Sequence, residues 1–246
     1  GAVLRTLAIE IVQACRTDPS HDAPLVRAMI DTVDPDTGQP LSDHEIADDL
    51  MAFMIAGHDT TATTLAYALW QLGRHPELQD KVLAEAVAVG DRGSLGPADV
   101  GQLRYTVAVL REALRLCPPA PSTSRVAVQD MAIDGHRVEA GTMLVVGIYA
   151  VQRDPTLLDA PLTFDPARFA DGATKGRDRW QYLPFGAGQR SCIGDHFAML
   201  EATLALATIV RDTEITSITD DFPVKVPFTM VAGAPIRAVM RRRRTT

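Results

Sequence analysis

The sequence has no long hydrophobic run, few cysteines and no excess of positive charge, and each shortage excludes a class of protein. No stretch of about 18 or more uncharged apolar residues occurs, so nothing predicts a membrane span. Cys15, Cys117 and Cys192 are too few and too scattered for a disulfide framework, which favours a reducing cytoplasm. The formal net charge of −7 argues against nucleic acid as a partner.

What the sequence does contain is mainly helical patterning with a smaller β portion. Hydrophobic residues make up 46% of the 246 residues, enough for a sizeable core. Ser42 stands three residues before Glu45, a capping box that begins a helix of about 30 residues. Apolar periodicity, prolines and turn signals predict further helices after 76, after 97 and over roughly 195–210, and short strands near 124–128, 131–133, 141–146, 222–230 and 236–240.

The segment Phe185–Gly194 surrounds Cys192 with an unusual set of neighbours. Its three glycines let the backbone turn tightly and approach a flat ligand closely. The cysteine precedes a predicted helix, where unpaired N–H groups favour a thiolate, and Arg190 adds positive charge. From the residues alone, Cys192 could be a small core residue, a nucleophile with His196 as base, or a metal ligand.

Two further patterns are ambiguous by themselves. Glu112 and Arg115 lie three apart on a predicted helix, a spacing that is typical of an ordinary surface ion pair. The run Ala56–Thr61 places a glycine in the middle of the long helix, at a cost of about 1 kcal/mol relative to alanine. A polar helix stripe would explain that run without any function.

Residues 185–194 match, at every defining position, the signature Phe-x-x-Gly-x-Arg-x-Cys-x-Gly, and the sequence therefore resembles the cytochrome P450 family. The resemblance extends from the helix before Ser42 to the end of the chain, with the family's motifs in order. It implies a mainly α fold with a smaller β portion, the C-terminal half of the cytochrome P450 fold without its N-terminal helices and strands. Residues 1–246 are then a single partial domain that binds haem.

The resemblance also implies the cofactor, haem b (iron protoporphyrin IX), and the residues that would hold it. Cys192 becomes the axial ligand of the haem iron, Phe185 packs against that ligand, and Gly194 completes the cofactor-binding segment. Arg190 meets one haem propionate. Arg125 resembles the family's second propionate-binding arginine, and an exposed arginine at the end of a strand is the alternative interpretation.

The family places the segment containing Ala56 and Gly57 over the distal face of the haem, where the helix opens locally to admit oxygen. Asp59 and Thr60 would then form the acid–alcohol pair that delivers protons during oxygen activation. Hydrogen bonds from threonine side chains to preceding carbonyls offer one way to loosen the helix there.

Glu112 and Arg115 match the family's Glu-x-x-Arg element, and the downstream segment Phe164–Phe169 nominates Arg168 as its third member. A carboxylate between two guanidinium groups can accept several charge-assisted hydrogen bonds. We therefore expect a structural role for this triad, pinning the irregular segment 159–184 beneath the haem.

The activity that the resemblance implies is a cytoplasmic monooxygenase, with O2 as co-substrate and a small organic molecule as substrate. A ferredoxin or flavodoxin-type carrier would supply electrons. A peroxide-driven peroxygenase is one alternative, which Asp59 and Thr60 disfavour. Another is a catalytically inert, haem-free fragment that folds through a partner or through self-association at the surface left by the missing N-terminal half.

Overall fold

The computed structural model describes residues 2–35, 37–90, 93–170, 173, 176 and 178–243. Backbone contacts divide the chain into two units, Gly1–His58 and Asp59–Thr246. The interpretation of the chain as a single partial domain stays a prediction.

The smaller unit contains helices α1 (Ala2–Thr17) and α2 (Pro24–Ile30) and the beginning of α3 (Asp43–Arg74). The predicted capping box of α3 is confirmed: the Ser42 backbone N–H donates to Glu45 Oε2 at 2.8 Å, and the Glu45 N–H donates to Ser42 Oγ at 3.3 Å. The buried core of this unit is formed by Val12, Cys15, Val26 and Ile46.

The larger unit is built on the rest of α3 together with α4 (Pro76–Gly90), α5 (Arg104–Leu116), the short α6 (Ile148–Val151) and α7 (Asp195–Asp212). Helix α7 packs against both α4 and α5, which bury their apolar faces on it. The fully buried side chains of this core include Leu72, Val82, Val109, Leu110, Leu206 and Val210.

The β portion of the described residues consists of four antiparallel pairs. They join β1 (Thr123–Val126) to β4 (Met143–Val146), β2 (Met131–Ile133) to β3 (His136–Val138), β5 (Thr213–Ser217) to β8 (Ala238–Arg242), and β6 (Val224–Lys225) to β7 (Val231–Ala232). The predicted turn Asp134–Gly135 connects β2 to β3, with φ values of 47° and 77°. Positive φ at both central residues matches the twist of a two-residue hairpin.

Two departures of the structure from the sequence prediction concern the start of α5 and strand β5. The helix predicted after Pro97 is divided into a 3-10 turn, Pro97–Gln102, and α5, because Glu85 binds the first backbone N–H groups of a new helix. Strand β5 was not predicted, because a five-residue strand that follows α7 directly carries only one buried apolar residue, Ile215.

Replacing Glu85 by alanine should lower the free energy of unfolding by about 1–2 kcal/mol. The Glu85 carboxylate accepts hydrogen bonds from Tyr105 N, Thr106 N and Thr106 Oγ1 at 2.7–2.8 Å, and so caps the start of α5. The urea midpoint of the helical circular dichroism signal measures the effect. Glu201→Ala, on the exposed side of α7, is the matched control; equal midpoints for the two variants would contradict the capping role.

Candidate functional site

Residues 183–192, which we call the Cys192 loop, lead into the N-terminus of α7. The Gly186 N–H donates to Leu183 O at 3.0 Å, and the Cys192 N–H donates to Phe185 O at 2.8 Å. Gly186 and Gly188 have φ values of 71° and 74°, a left-handed conformation that favours glycine. The tight turns of this loop therefore depend on Gly186 and Gly188.

The side chain of Cys192 is exposed at the end of this loop. Ile193 and Phe197, one and five positions after Cys192, are 84% and 68% exposed, and the sequence prediction did not include them as functional residues. A Cβ atom at Gly194 would lie 3.9 Å from Cys192 Sγ, so glycine keeps one side of the sulfur open. The signal that could have identified the two apolar residues is their place within five positions of the motif cysteine.

The other two cysteines have a different character. Cys15 and Cys117 are 3% and 1% exposed, and Cys117 Sγ lies 3.6 Å from Met230 Sδ. Burial raises the pKa of the Cys117 thiol to about 12, which holds it in the neutral form that packs in a core. Cys192 is the one exposed thiol, so its interpretation as a small core residue is wrong.

A nucleophilic role for Cys192 would need a neighbouring base, and His196 was the nearest candidate in sequence. The His196 side chain is fully exposed, with Nδ1 3.9 Å from Asp195 Oδ1. Among the described residues it forms no hydrogen bond with Cys192. The geometry therefore does not support a cysteine–histidine pair.

Near the C-terminal end of α5, Glu112 contacts both Arg115 and Arg168. The Glu112 side chain is fully buried, and its two carboxylate oxygens accept hydrogen bonds from Arg115 Nε and Nη2, both at 2.7 Å. Arg168 Nε lies 3.5 Å from Glu112 Oε1. Because the pair is buried, the interpretation as an ordinary surface ion pair is wrong.

This ion pair also binds the irregular part of the chain. Arg115 Nη1 donates to Pro161 O at 2.6 Å, and Arg115 Nη2 donates to Thr163 O at 3.1 Å. Glu112 Oε1 in turn accepts the backbone N–H of Asp165 at 2.9 Å. The backbone of residues 161–165 is thereby fixed to α5.

Gln152 is a further buried residue of this region that the sequence prediction missed. It is 2% exposed, and its side-chain amide binds the backbone of α5 and of the Cys192 loop. The backbone carbonyl oxygen of Gln152 accepts a hydrogen bond from Arg115 Nη1 at 2.9 Å. A lone glutamine carries no periodicity or motif, so the sequence offered no signal for it.

The residues predicted for the distal side lie on α3. Ala56, Gly57 and Asp59 are exposed and Thr60 is half-buried. The expected local opening of the helix is not seen, because α3 is regular from Asp43 to Arg74. The Thr64 hydroxyl donates to Thr60 O at 2.9 Å, a back-bond that a regular helix accommodates.

The two arginines that are predicted to bind the haem propionates lie on different elements, and both are exposed. Arg190 ends the 3-10 turn Gly188–Arg190 of the Cys192 loop. Arg125 lies in β1, where its Nη1 donates to Thr123 Oγ1 at 3.1 Å and to Ser124 O at 2.8 Å. Both guanidinium groups are accessible to a carboxylate ligand.

No helix in the described ranges combines the length and the apolar character that crossing a bilayer requires.

Comparison with known proteins gives one family. The sequence profile of the family described as Cytochrome P450 matches residues 3–237. The chain is similar to putative cytochrome P450 137 of Mycobacterium tuberculosis, with 36% identity over 96% of this chain and 46% of that protein. It is also similar to cyclooctat-9-en-7-ol 5-monooxygenase of Streptomyces melanosporofaciens, with 36% identity over 85% of this chain and 46% of that protein.

Among solved structures, the chain is similar to the crystal structure of a cytochrome P450, CYP102L1, with a TM-score of 0.89 and 28% sequence identity. The match covers 98% of this chain and 56% of that one. The mainly helical fold with a smaller β portion is therefore confirmed as part of the cytochrome P450 fold. The chain spans about half the length of the relatives it matches.

Iodoacetamide at pH 8 should modify Cys192 alone in the native chain. Cys15 and Cys117 are buried, and the raised pKa of Cys117 leaves almost no thiolate to react. Mass spectrometry of tryptic peptides gives the site and extent of modification, and the same reaction in strong denaturant should modify all three cysteines. Rapid native modification of Cys117 would contradict the geometry.

Replacing Glu112 by alanine should lower the free energy of unfolding by about 3–5 kcal/mol, because Arg115 would keep a buried charge without its partner. Urea unfolding followed by circular dichroism measures the change. The control is Glu139→Ala, which breaks an exposed pair with Arg137 at 3.7 Å and should leave the midpoint unchanged. Comparable losses in the two variants would contradict a buried anchoring role for Glu112.

Proposed function

The chain belongs to the cytochrome P450 family, and on that premise we propose that it provides the haem-binding part of a haem-thiolate monooxygenase. The reaction is the insertion of one oxygen atom of O2 into a small organic substrate. The name of the Streptomyces relative, a monooxygenase, supports this reaction class. The single observation that carries the proposal is the exposed Cys192 thiol, held by a tight glycine-containing loop at the start of α7.

The donor set at Cys192 fits haem better than it fits a bare metal ion. One thiolate supplies one ligand, and no group of three or more His, Cys, Asp or Glu side chains in the described part of the chain could form a protein-only site. A porphyrin brings its own ring nitrogens, so a single cysteine suffices. The exposed side chains of Ile193 and Phe197 suit the apolar face of a flat ring.

When bound, haem supplies the oxygen and electron chemistry of the reaction. Cys192 would hold the iron, and the half-buried Phe185 would pack against that ligand. Arg190 and Arg125 would hold the propionate carboxylates through charge-assisted hydrogen bonds. The exposed positions of both guanidinium groups support this role.

Asp59 and Thr60 transfer protons, and the Asp59 carboxyl group donates to the Thr60 hydroxyl. Their succession on α3, with Asp59 exposed to solvent and Thr60 half-buried, supports a relay from water inward. The cofactor contacts assigned to Ala56 and Gly57 stay predictions from the family resemblance.

Electrons for the reaction come from a separate small carrier of the ferredoxin or flavodoxin type. Arg111 and Arg179 line a cleft of about 460 Å³ beside Phe185. These positive groups would favour an acidic carrier, although Asp178 and Asp195 share the same cleft.

A second candidate is a haem-free chain that folds through self-association. It is favoured by the β1–β4 pair, where Val126, Met143 and Val145 are 56%, 65% and 64% exposed. Exposed apolar side chains on a short strand pair favour contact with another surface. Sedimentation velocity separates the candidates: a haem-free oligomer supports this one, and a haem-loaded monomer excludes it.

The chain expressed with added haem should show, in its reduced CO-bound form, the red-shifted Soret band of a thiolate-ligated haem. Cys192→Ala should abolish that band, because no other exposed thiol can replace the ligand. Cys117→Ala is the matched control and should retain the band. Retention of the band in Cys192→Ala would refute the assigned ligand, and its absence from the unmodified chain would refute haem binding by this chain.

A further inference from the structure

We infer that Gln152 is a positioning residue for Cys192, fixing the start of the Cys192 loop against the C-terminal end of α5. The inference rests on the proposed function, because it concerns how the thiolate is held for the metal. It adds to the motif a residue about 40 positions upstream that the motif does not contain.

The side-chain amide of Gln152 binds two elements at once. Its Nε2 donates to Leu114 O at 3.1 Å and to Arg115 O at 3.0 Å, which are carbonyls in the last turn of α5. Carbonyls at a helix C-terminus have no partner within the helix. Its Oε1 accepts the Leu183 N–H at 2.9 Å, so one planar group joins the end of α5 to the first residue of the Cys192 loop.

Two backbone hydrogen bonds continue from Leu183 to the cysteine. Leu183 O accepts from Gly186 N at 3.0 Å, which closes the turn that contains Phe185. Phe185 O accepts from Cys192 N at 2.8 Å. The only residue between Leu183 and Phe185 is Pro184, which is buried and restricted in φ. A displacement of Leu183 would therefore be transmitted to the Cys192 backbone.

Gln152, at which this connection begins, is itself held in place by α5. The backbone carbonyl of Gln152 accepts from Arg115 Nη1 at 2.9 Å, and Arg115 is bound by the buried Glu112 carboxylate. Both the backbone and the side chain of Gln152 are thus tied to α5. Groups that orient a metal ligand without touching the metal commonly change metal affinity by about 10-fold to 100-fold when removed.

The test compares Gln152→Leu with Gln79→Leu. Gln79 is a matched control, because it is also 2% exposed and its amide also binds two carbonyls, Leu72 O and Ile215 O, and accepts a backbone N–H, that of Ile215. Both substitutions remove the same kind of buried hydrogen bonds. The contacts of Gln79, however, lie on α3, β5 and Arg243 and not on the Cys192 loop.

In the haem-loaded chain, Gln152→Leu should weaken haem binding about 10-fold and reduce the share of haem that shows the red-shifted CO-bound band. Gln79→Leu should keep that share within about twofold of the unmodified chain. Equal losses in both variants would mean a general stability effect and would overturn the inference. A normal band in the unmodified chain and an unchanged band in Gln152→Leu would overturn the inference while leaving the proposed function intact.

Amide hydrogen exchange tests the connection without haem. In Gln152→Leu the Gly186 and Cys192 amides, neither of which binds Gln152 directly, should exchange about tenfold faster. The Leu206 amide in α7 should not change. Unchanged exchange in the loop, or equal acceleration in α7, would overturn the inference even where the unmodified chain binds no haem.

Should the variants fail to fold, the unmodified chain supplies the decisive measurement. The Leu183, Gly186 and Cys192 amides should then show one common dependence of exchange on low denaturant concentrations, because the three bonds open together. Opening of the Cys192 amide at a separate, lower free energy would overturn the inference.

Discussion

The buried ion pair between Glu112 and Arg115 is the interaction on which the larger unit depends. An isolated charge could not remain in this place, because removing a charge from water is costly unless partners replace the water. The carboxylate accepts hydrogen bonds from Nε and Nη2 of Arg115, and the guanidinium also donates to the backbone carbonyls of Gln152, Pro161 and Thr163. Segments without regular secondary structure thereby acquire fixed positions that apolar packing could not give them.

Buried neutral side chains also hold backbone segments in place by hydrogen bonds. Gln79 joins the end of α3 to β5, and Gln152 joins the end of α5 to the Cys192 loop. A buried amide suits this task because it donates and accepts from one rigid plane and carries no charge to desolvate. The helices of this unit are thus held by apolar packing, whereas the connections between them are held by buried side chains that bind the backbone.

The parts of the molecule that were predictable are those with a local signal. The capping box at Ser42, the hairpin at Asp134–Gly135 and the helix beginning at Asp195 each follow from neighbouring residues, and the motif around Cys192 identified the family. Strand β5 was missed because its pairing with β8 is set by residues distant in sequence. Gln152 was missed for the same reason: its three partners lie 31–38 positions away, and nothing in its neighbours marks them.

At the Cys192 loop, the interactions that fix the position of the sulfur differ from those that would provide affinity for a ligand. The hydrogen bonds of the loop fix the backbone at Cys192, whereas the side chains of Cys192 and of the following Ile193 and Phe197 are exposed and add little to the core. Covering the two apolar side chains is favourable by about 25 cal/mol per Å² of buried surface, and a ligand that binds only the folded loop stabilises it by mass action. Affinity for a flat apolar group can therefore come from Ile193 and Phe197, while the place of the sulfur is set by the Phe185–Cys192 hydrogen bond and its connection to α5. A change at either apolar residue would then weaken the binding of such a group without moving the Cys192 sulfur, whereas a change in the hydrogen-bonded connection would move that sulfur first.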